Sequence, residues 1–293
     1  MDADPEARLR DAEIRDLGLA PAKVRRVFKR EFGLTFQAYA RARRLGRAFD
    51  AIKKGAALDD VILGHGFESH SGFREAFFKR FGTPPGRTAS EAAAGRADYV
   101  RLAWIETPLG PMVAGATADG VCLLEFSDRR MIEAQFAMLG RHVGLPLLPG
   151  ENRHLERLRA ELEAYFRGAL RRFTVPLVAP GTPFQRRVWG LLRAIPYGAT
   201  RSYEDVAREL GAPGAGRAVG RANGLNRIAI LIPCHRVLNK SGDLGGYGGG
   251  LWRKRRLLDL ERGGGSGRDG AVRSGGGRAA GPGAAVLNRR PGA

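Results

Sequence analysis

Cysteine is scarce in this chain of 293 residues, which contains only Cys122 and Cys234. Two cysteines cannot form a four-cysteine zinc site, and the five histidines show no metal-ligand spacing, so we expect neither a metal nor a cofactor. A disulfide between the two cysteines is not expected in a protein with the features of an intracellular one. Cys122 lies in the alternating, strand-like run 120–126, and this pattern predicts a residue of the core.

Long apolar runs are also absent, and acidic residues are outnumbered by basic ones. No stretch of 18 apolar residues occurs and the N-terminus is charged, which predicts a cytoplasmic protein without a signal peptide or membrane segment. Lysine and arginine total 49 against 30 acidic residues, which gives a formal charge of +19. This excess predicts a polyanionic partner, and binding that weakens as the salt concentration rises.

The most informative run is 230–237, which reads Ile-Leu-Ile-Pro-Cys-His-Arg-Val. Its apolar start, 230–232, predicts a short strand buried on both faces, which the following proline ends. Cys234 then emerges at the strand end with His235 and Arg236 directly behind it. A thiol beside an imidazole and a guanidinium is expected to have a lowered pKa and a reactive thiolate. The alternative is a buried structural cysteine.

The segments on either side favour the reactive cysteine. Upstream lies the small-residue run 215–224, which carries two arginines, and Asn226 follows it. Downstream lie the glycine-rich loop 245–250 and a helix-like segment that Glu261 closes. In this order the motifs resemble the O6-alkylguanine-DNA alkyltransferases, and the resemblance extends from Thr182 to Glu261.

The resemblance implies that Cys234 takes the alkyl group from O6-alkylguanine, and from O4-alkylthymine, in a single irreversible turnover. An alkyl group on guanine O6 is a poor electrophile, so its attack needs a thiolate. The resemblance implies that His235 takes the thiol proton through a bound water and that Glu261 orients the imidazole, as the third member of a triad does. The resemblance also places Asn226 among the catalytic residues.

The resemblance also implies how the base is held. Tyr203 would donate a proton to the leaving guanine and press on the phosphate of the target nucleotide. The backbone carbonyls of Cys234 and Val237 would bind the exocyclic amine, and the loop containing Tyr247 and Gly248 would place the Gly248 amide against O6. The family often has serine where this chain has Gly248, so only a backbone contact is expected there.

A base inside a duplex must be flipped out to reach the thiol. Segments 204–210 and 215–224, joined by a Gly/Pro turn, predict a helix-turn-helix. Small residues such as Ala218 and Gly220 would let the second helix approach the minor groove, and Arg217 would fill the gap left by the base. The alternative is a Gly/Ala-rich helix packed against a neighbour, with Arg217 solvated.

The first ninety residues predict a second DNA-binding unit made of helices. Segments 11–17 and 22–31 form one helix-turn-helix pattern, a long helix 36–54 follows, and 58–63 with 69–81 repeat the plan. The motifs at 66–69, Phe73 and 77–82 resemble the AraC-type regulators. That resemblance implies that helices 24–32 and 73–81 enter successive major grooves, with four basic side chains facing DNA: Arg25, Arg26, Lys29 and Arg74. The alternative is a helical bundle with solvated basic faces.

The sequence therefore predicts a multidomain protein of α and α/β parts. We expect an all-α double helix-turn-helix at 1–90, a linker at 91–98, and an α/β subdomain of ribonuclease-H-like type at 99–179. A mainly α active-site domain follows at 180–262, and a disordered Gly/Arg-rich tail at 263–293. This order is similar to that of the Ada-type adaptive-response proteins, without their N-terminal zinc domain.

The expected partners are duplex DNA with alkylated bases and promoter DNA, and no membrane. We expect a monomer that associates with the nucleoid through DNA. Two alternatives remain open. One is an AraC-type transcription regulator whose alkyltransferase domain mainly senses damage. The other is a cysteine hydrolase that uses Cys234, His235 and Glu261, although adjacent cysteine and histidine fit such an enzyme poorly.

Overall fold

The fold is described from a computed structural model, which covers residues 11–32, 35–95, 97–129 and 132–263. Within these ranges the N-terminal part forms six helices: α1 (Asp11–Asp16), α2 (Pro21–Phe32), α3 (Phe36–Lys53), α4 (Leu58–Gly64), α5 (His70–Phe81) and α6 (Pro85–Ala93). Local sequence explains the ends of α5, because the Ser69 hydroxyl accepts from the Gly72 amide at 3.2 Å and Gly82 adopts φ 69°. The predicted helical, helix-turn-helix region at the N-terminal end of the chain is confirmed.

Aromatic rings form the core of this N-terminal part. The rings of Phe49, Phe73, Phe77 and Phe81 lie with neighbouring centroids 4.5 to 6.1 Å apart. They occur at helical spacing in α3 and α5, so each helix presents an apolar face to the other.

The middle of the chain forms a small mixed sheet flanked by helices. Its strands, among the described residues, are β1 (Val100–Ile105), β2 (Met112–Ala116), β3 (Val121–Phe126) and β4 (Leu147–Pro149), in the order β3-β2-β1-β4. The first three are antiparallel neighbours, and the short β4 pairs parallel with β1. Helices α7 (Ile132–Val143) and α8 (Arg153–Phe166) accompany the sheet.

The last part is mainly helical and contains Cys234. Its elements are α9 (Pro183–Ala194), β5 (Arg201–Ser202), α10 (Tyr203–Glu209), α11 (Gly216–Gly224), a 3-10 turn (Cys234–Arg236), β6 (Val237–Leu238) and α12 (Leu251–Glu261). A capping box starts α10, because Ser202 and Asp205 exchange side chain–backbone hydrogen bonds of 2.9 and 3.0 Å. The predicted helix-turn-helix of α10 and α11 is confirmed.

The strand predicted at 230–232 is wrong. These residues are buried, as expected, but they form turns, and Ile230 has φ 70°. The Asn226 side chain provides an alternative to strand pairing, because its Oδ1 accepts from the Ile228 amide at 3.0 Å and its Nδ2 donates to the Ile232 carbonyl at 2.8 Å. Burial alone does not distinguish such a turn from a strand.

Helix α6 extends to Ala93, inside the segment predicted as a linker, and the buried residues Ala97 and Tyr99 follow a few positions later. Tyr99 is buried against Phe49, with ring centroids 5.4 Å apart, and its hydroxyl donates to Asp50 at 2.7 Å. Arg101 on β1 donates to the other oxygen of Asp50 at 2.5 Å. The helix-turn-helix part therefore shares a core with the edge of the sheet instead of hanging on a flexible tether.

The C-terminal tail and membrane-spanning helices are the remaining features for which the sequence made a prediction. The tail expected to be disordered lies, apart from its first residue, outside the described residues. None of the helices in the described ranges is both long enough and apolar enough to cross a membrane.

Candidate active site

Cys234 lies at the base of a cavity of about 700 Å³ and is 6% exposed. It starts the 3-10 turn after Pro233, and its sulfur accepts a hydrogen bond of 3.1 Å from the Asn226 side chain. Asn226 thus shapes the turn and contacts the thiol with the same amide group. The structure therefore brings together two residues of the predicted catalytic set that are eight positions apart in sequence.

The expected lowering of the Cys234 pKa is wrong. Burial raises the pKa of this thiol to about 11, the Asn226 hydrogen bond opposes the rise, and the negative charge of Glu125 adds to it. Arg236, which the sequence placed near the thiol, is occupied by Glu261 and by the Ile195 carbonyl. The resting site therefore holds a neutral thiol, and its reaction needs a proton acceptor.

His235 and Glu261 form a fully buried pair behind Cys234. Because a carboxylate only accepts, the 2.9 Å contact between His235 Nε2 and Glu261 Oε1 places the imidazole proton on Nε2 and leaves Nδ1 as an acceptor. Nδ1 has no hydrogen-bond partner among the residues that the structure describes. Burial lowers the His235 pKa, which keeps the ring neutral and able to take a proton.

Glu261 is held by more donors than the sequence indicated. Arg236 donates to both of its oxygens at 2.8 Å, Tyr165 to Oε1 at 2.7 Å, and the Gly198 amide to Oε2 at 3.2 Å. Although burial raises the pKa of Glu261, the hydrogen bonds from His235 and Arg236 hold it well below its usual range. Glu261 is therefore a fixed anion that orients the imidazole.

Lys254 is a buried cation that sequence reasoning missed. Its Nζ donates to the Val237 carbonyl at 2.7 Å and to the Leu244 carbonyl, and burial lowers its pKa to about 8. The Val237 carbonyl, predicted to bind the base, is therefore already held by a donor on one side. Nothing in the local sequence of α12 distinguishes Lys254 and the buried Arg253 from the exposed Arg255 and Arg256.

The cavity that Cys234 lines contains five of the seven base- and DNA-binding residues predicted in the last part of the chain. It is lined by five of them: Tyr203, Arg217, Gly220, Tyr247 and Gly248. Tyr203 begins α10 and lies against α11, because a Cβ placed on Gly220 would be 3.7 Å from its ring. Val237 is fully buried and does not line this cavity, and Ala218 is exposed on α11.

The sheet also contributes to this cavity, which the sequence did not predict. Glu125 on β3 and Arg129 just after it form an ion pair, and both line the cavity with Cys234. The turn before Cys234 is anchored on the same strand, because Leu124 accepts from the Ala229 amide and donates to the Arg227 carbonyl, both at 2.8 Å. A single acid in an otherwise apolar, buried strand was the signal available in the sequence.

The basic residues predicted to face DNA in the N-terminal part are all exposed. Arg25, Arg26 and Lys29 lie on α2, and Arg74 lies on α5. Arg25 also pairs with Asp11 of α1. The exposure of these side chains is compatible with DNA binding and equally with a solvated basic surface.

Comparison with known proteins gives two family matches. The model for the "6-O-methylguanine DNA methyltransferase, DNA binding domain" matches residues 183–263, and a "Helix-turn-helix domain" model matches residues 14–91. A methylated-DNA–protein-cysteine methyltransferase of Mycobacterium leprae is 43% identical over 158 residues, which cover 54% of this chain and 90% of that protein. A protein of the same name from Methanosarcina acetivorans is 41% identical over 158 residues, covering 53% and 94%.

The chain is also similar in sequence to a solved structure. The crystal structure of Mycobacterium tuberculosis OGT in complex with DNA is 42% identical, covers 56% of this chain and 93% of that chain, and has a TM-score of 0.48. On the sequence identity and coverage of these relatives, the chain belongs to the methylated-DNA–protein-cysteine methyltransferase family. Its N-terminal part carries an AraC-type helix-turn-helix domain.

Proposed function

We propose that this chain repairs DNA by moving the alkyl group of O6-alkylguanine onto Cys234, once per molecule. The observation that carries the proposal is the arrangement around the thiol. Cys234 lies at the base of a cavity lined by Tyr203 and Arg217, with Asn226 on its sulfur and the His235–Glu261 pair behind it. O4-alkylthymine is a second substrate of the same site.

The first step is removal of the thiol proton. With a pKa of about 11, the thiol is almost entirely protonated at neutral pH. His235 Nδ1, an unpartnered acceptor among the described atoms, receives the proton through a bridging water, and Glu261 stabilises the resulting imidazolium. Asn226 stabilises the thiolate by its hydrogen bond to sulfur.

The alkyl group then changes partner. A bond forms between Cys234 Sγ and the alkyl carbon as the bond from that carbon to O6 breaks, and guanine leaves with the electron pair. Tyr203 supplies a proton to the leaving base. The resulting thioether has no acidic leaving group to release the alkyl carbon, so the protein is used once.

The depth of Cys234 requires the base to leave the duplex. A thiol at the bottom of a cavity cannot reach O6 of a stacked and paired guanine, so the nucleotide is flipped. Helix α11 lines the cavity with Gly220 and Arg217. Gly220 has no side chain to hold the DNA away from the helix backbone, and Arg217 fills the space that the flipped base leaves in the duplex. Ala218 faces the minor groove, and Tyr247 with Gly248 closes over the base.

The N-terminal part binds duplex DNA through α2 and α5, with Arg25, Arg26, Lys29 and Arg74 against the phosphates. Promoter DNA is the partner that an AraC-type domain suggests. The relatives named above are all methyltransferases, which favours DNA repair over a regulator that merely senses damage.

The test is transfer of labelled methyl from alkylated duplex DNA to the protein. Wild type should take up one methyl per molecule, on Cys234 by mass spectrometry. Cys234→Ser should take up none and still bind DNA, whereas Cys122→Ser should retain transfer, because Cys122 is buried in β3. Label on Cys122 would contradict the assignment.

A further inference from the structure

Arg129 occupies space that another side chain would need. A Cβ placed on Gly248 would lie 2.6 Å from Arg129 Cζ and 2.7 Å from its NH2 nitrogen, closer than atoms approach. Gly248 is not among the glycines with positive φ, so its backbone does not require glycine. The Arg129 guanidinium can therefore keep its position only because residue 248 has no side chain.

The guanidinium of Arg129 is fixed from several sides. It forms an ion pair with the carboxylate of Glu125, which is buried on β3. It also donates to the Gly224 carbonyl at 2.9 Å and to the Asn226 carbonyl at 3.5 Å. Moving it aside would leave the Glu125 carboxylate buried without its partner, which is costly. The guanidinium of Arg129 therefore forms a fixed wall of the cavity, and we use the word wall for this group below.

This wall borders the reacting atoms. Arg129 and Cys234 line one cavity, and Asn226 contacts both, through its carbonyl to Arg129 and through its side chain to the sulfur. In the proposed reaction the Gly248 amide faces O6, so a group beside the Gly248 Cα lies next to the substituent that O6 carries.

We propose that Arg129, seated over Gly248 and held by Glu125, is a specificity residue that limits the alkyl group to small substituents. The inference rests on the proposed function, since it concerns the substituent transferred to Cys234. A methyl substituent adds a single carbon to O6 on the side of the guanidinium. A benzyl group must displace a guanidinium whose ion pair and two carbonyl contacts resist movement.

The experiment compares two substrates in each variant. Single-turnover rate constants are measured for O6-methylguanine and O6-benzylguanine in the same duplex. The main variant is Glu125→Gln with Arg129→Ala, which opens the wall without leaving a buried charge. The benzyl-to-methyl rate ratio should rise by about tenfold or more, the scale on which pocket size discriminates substrates. Glu125→Gln alone removes the ion pair but keeps the volume of the guanidinium, so the ratio should rise by less than in the double variant.

A second pair of variants tests the space itself. Gly248→Ser should slow transfer of both groups in the wild-type background, because the new side chain meets Arg129. The same change should be tolerated in the Glu125→Gln, Arg129→Ala background. This rescue would not occur if Arg129 only stabilised the fold.

The outcomes separate the two proposals. If wild type transfers neither group to Cys234, the proposed function fails. If wild type transfers methyl and a variant that melts cooperatively shows an unchanged ratio, the inference about Arg129 fails alone. If the main variant does not fold, Glu125→Gln with Arg129→Gln shortens the wall while keeping a polar pair, and an unchanged ratio there overturns the inference.

Discussion

At the residue scale, the site combines the Cys234 thiol, whose pKa is raised, with the His235 imidazole, whose pKa is lowered. Burial raises the Cys234 pKa to about 11 and lowers the His235 pKa below its ordinary 6.5. Between these two values the proton of the thiol can pass to His235 without any net exchange with solvent. The proposed relay should therefore be visible in the pH dependence of transfer.

Wild type should transfer methyl at a rate that is flat from about pH 7 to 9 and falls only in acid, where His235 is protonated. His235→Ala should be slower at pH 7, and its rate should rise about tenfold per pH unit toward the thiol pKa, because the thiolate then forms by direct ionisation. The measurement is single-turnover transfer from the free base O6-methylguanine, so that DNA binding does not enter. A flat profile in His235→Ala would rule out the relay.

Residues near Cys234 in sequence were predictable, and residues that reach it from elsewhere were not. Cys234, His235, Asn226 and Glu261 follow a motif order that the chain displays. The direction in which the pKa of the Cys234 thiol is shifted was not predictable, because it depends on how deeply the folded chain buries the thiol. Tyr165, Lys254 and the Glu125–Arg129 pair become neighbours of the site only through folding.

At the element scale, α11 illustrates how a helix of small residues serves a recognition site. Its buried side, with Val219 and Ala222, packs into the core, while Arg217 and Arg221 are exposed. Arg217 lines the cavity and Arg221 does not. Two arginines of one helix thus provide a matched pair for testing base flipping.

Arg217→Ala should slow repair of O6-methylguanine in duplex DNA by about tenfold or more, because extruding the base costs a few kcal/mol that Arg217 helps to offset. Reaction with the free base should change by less than about twofold, since nothing is extruded. Arg221→Ala should affect the duplex reaction only through weaker phosphate attraction, which added salt conceals. Equal losses on both substrates would assign Arg217 to the pocket itself.

The elements themselves were predictable where a periodic pattern was strong. Helices α3, α5 and α12 and strand β3 follow the predictions from the sequence closely. The segment 230–232 did not, because a buried apolar run is common to strands and turns, and the Asn226 side chain decides between them. Helix α6 was missed because its small residues are typical of a linker.

At the scale of the whole molecule, the two parts of the chain are joined through a core. Tyr99 and Leu148 are buried with the aromatic rings of the helix-turn-helix part, and Asp50 accepts from both Tyr99 and Arg101. Cutting the chain near residue 90 would expose this surface, so an isolated 1–90 fragment is a poorer test of DNA binding than the intact protein.

Calorimetry should show one cooperative unfolding transition for the whole chain. Tyr99→Ala should lower the free energy of unfolding by about 3–5 kcal/mol, the usual cost of removing a buried aromatic side chain. Asp59→Asn, which changes a carboxylate 79% exposed beside His70, should leave it within about 0.5 kcal/mol. Two separate transitions in wild type would show that the parts fold independently.

Binding of the whole chain to undamaged duplex DNA should weaken steeply as salt rises. Arg26→Gln and Lys29→Gln should each reduce the slope of log affinity against log salt by about 1 if they contact phosphates. Lys53→Gln, at the end of α3, serves as the control and should leave the slope unchanged. Unaltered slopes in all three variants would favour a solvated basic surface on α2.

The packed joint around Tyr99 also has a consequence for where on a chromosome the protein works. A flexible tether would let Cys234 sample many bases on either side of a bound site, with no preference for one side of the double helix. A stiff joint fixes a distance and a rotational phase. When α2 and α5 hold a duplex, lesions on that duplex meet the cavity only at offsets that recur with the helical repeat of DNA, about 10.5 base pairs. The efficiency of repair near such a site would then vary periodically along the DNA sequence. The helical repeat of DNA would set the period, and the fixed geometry of the protein would set the positions of the maxima.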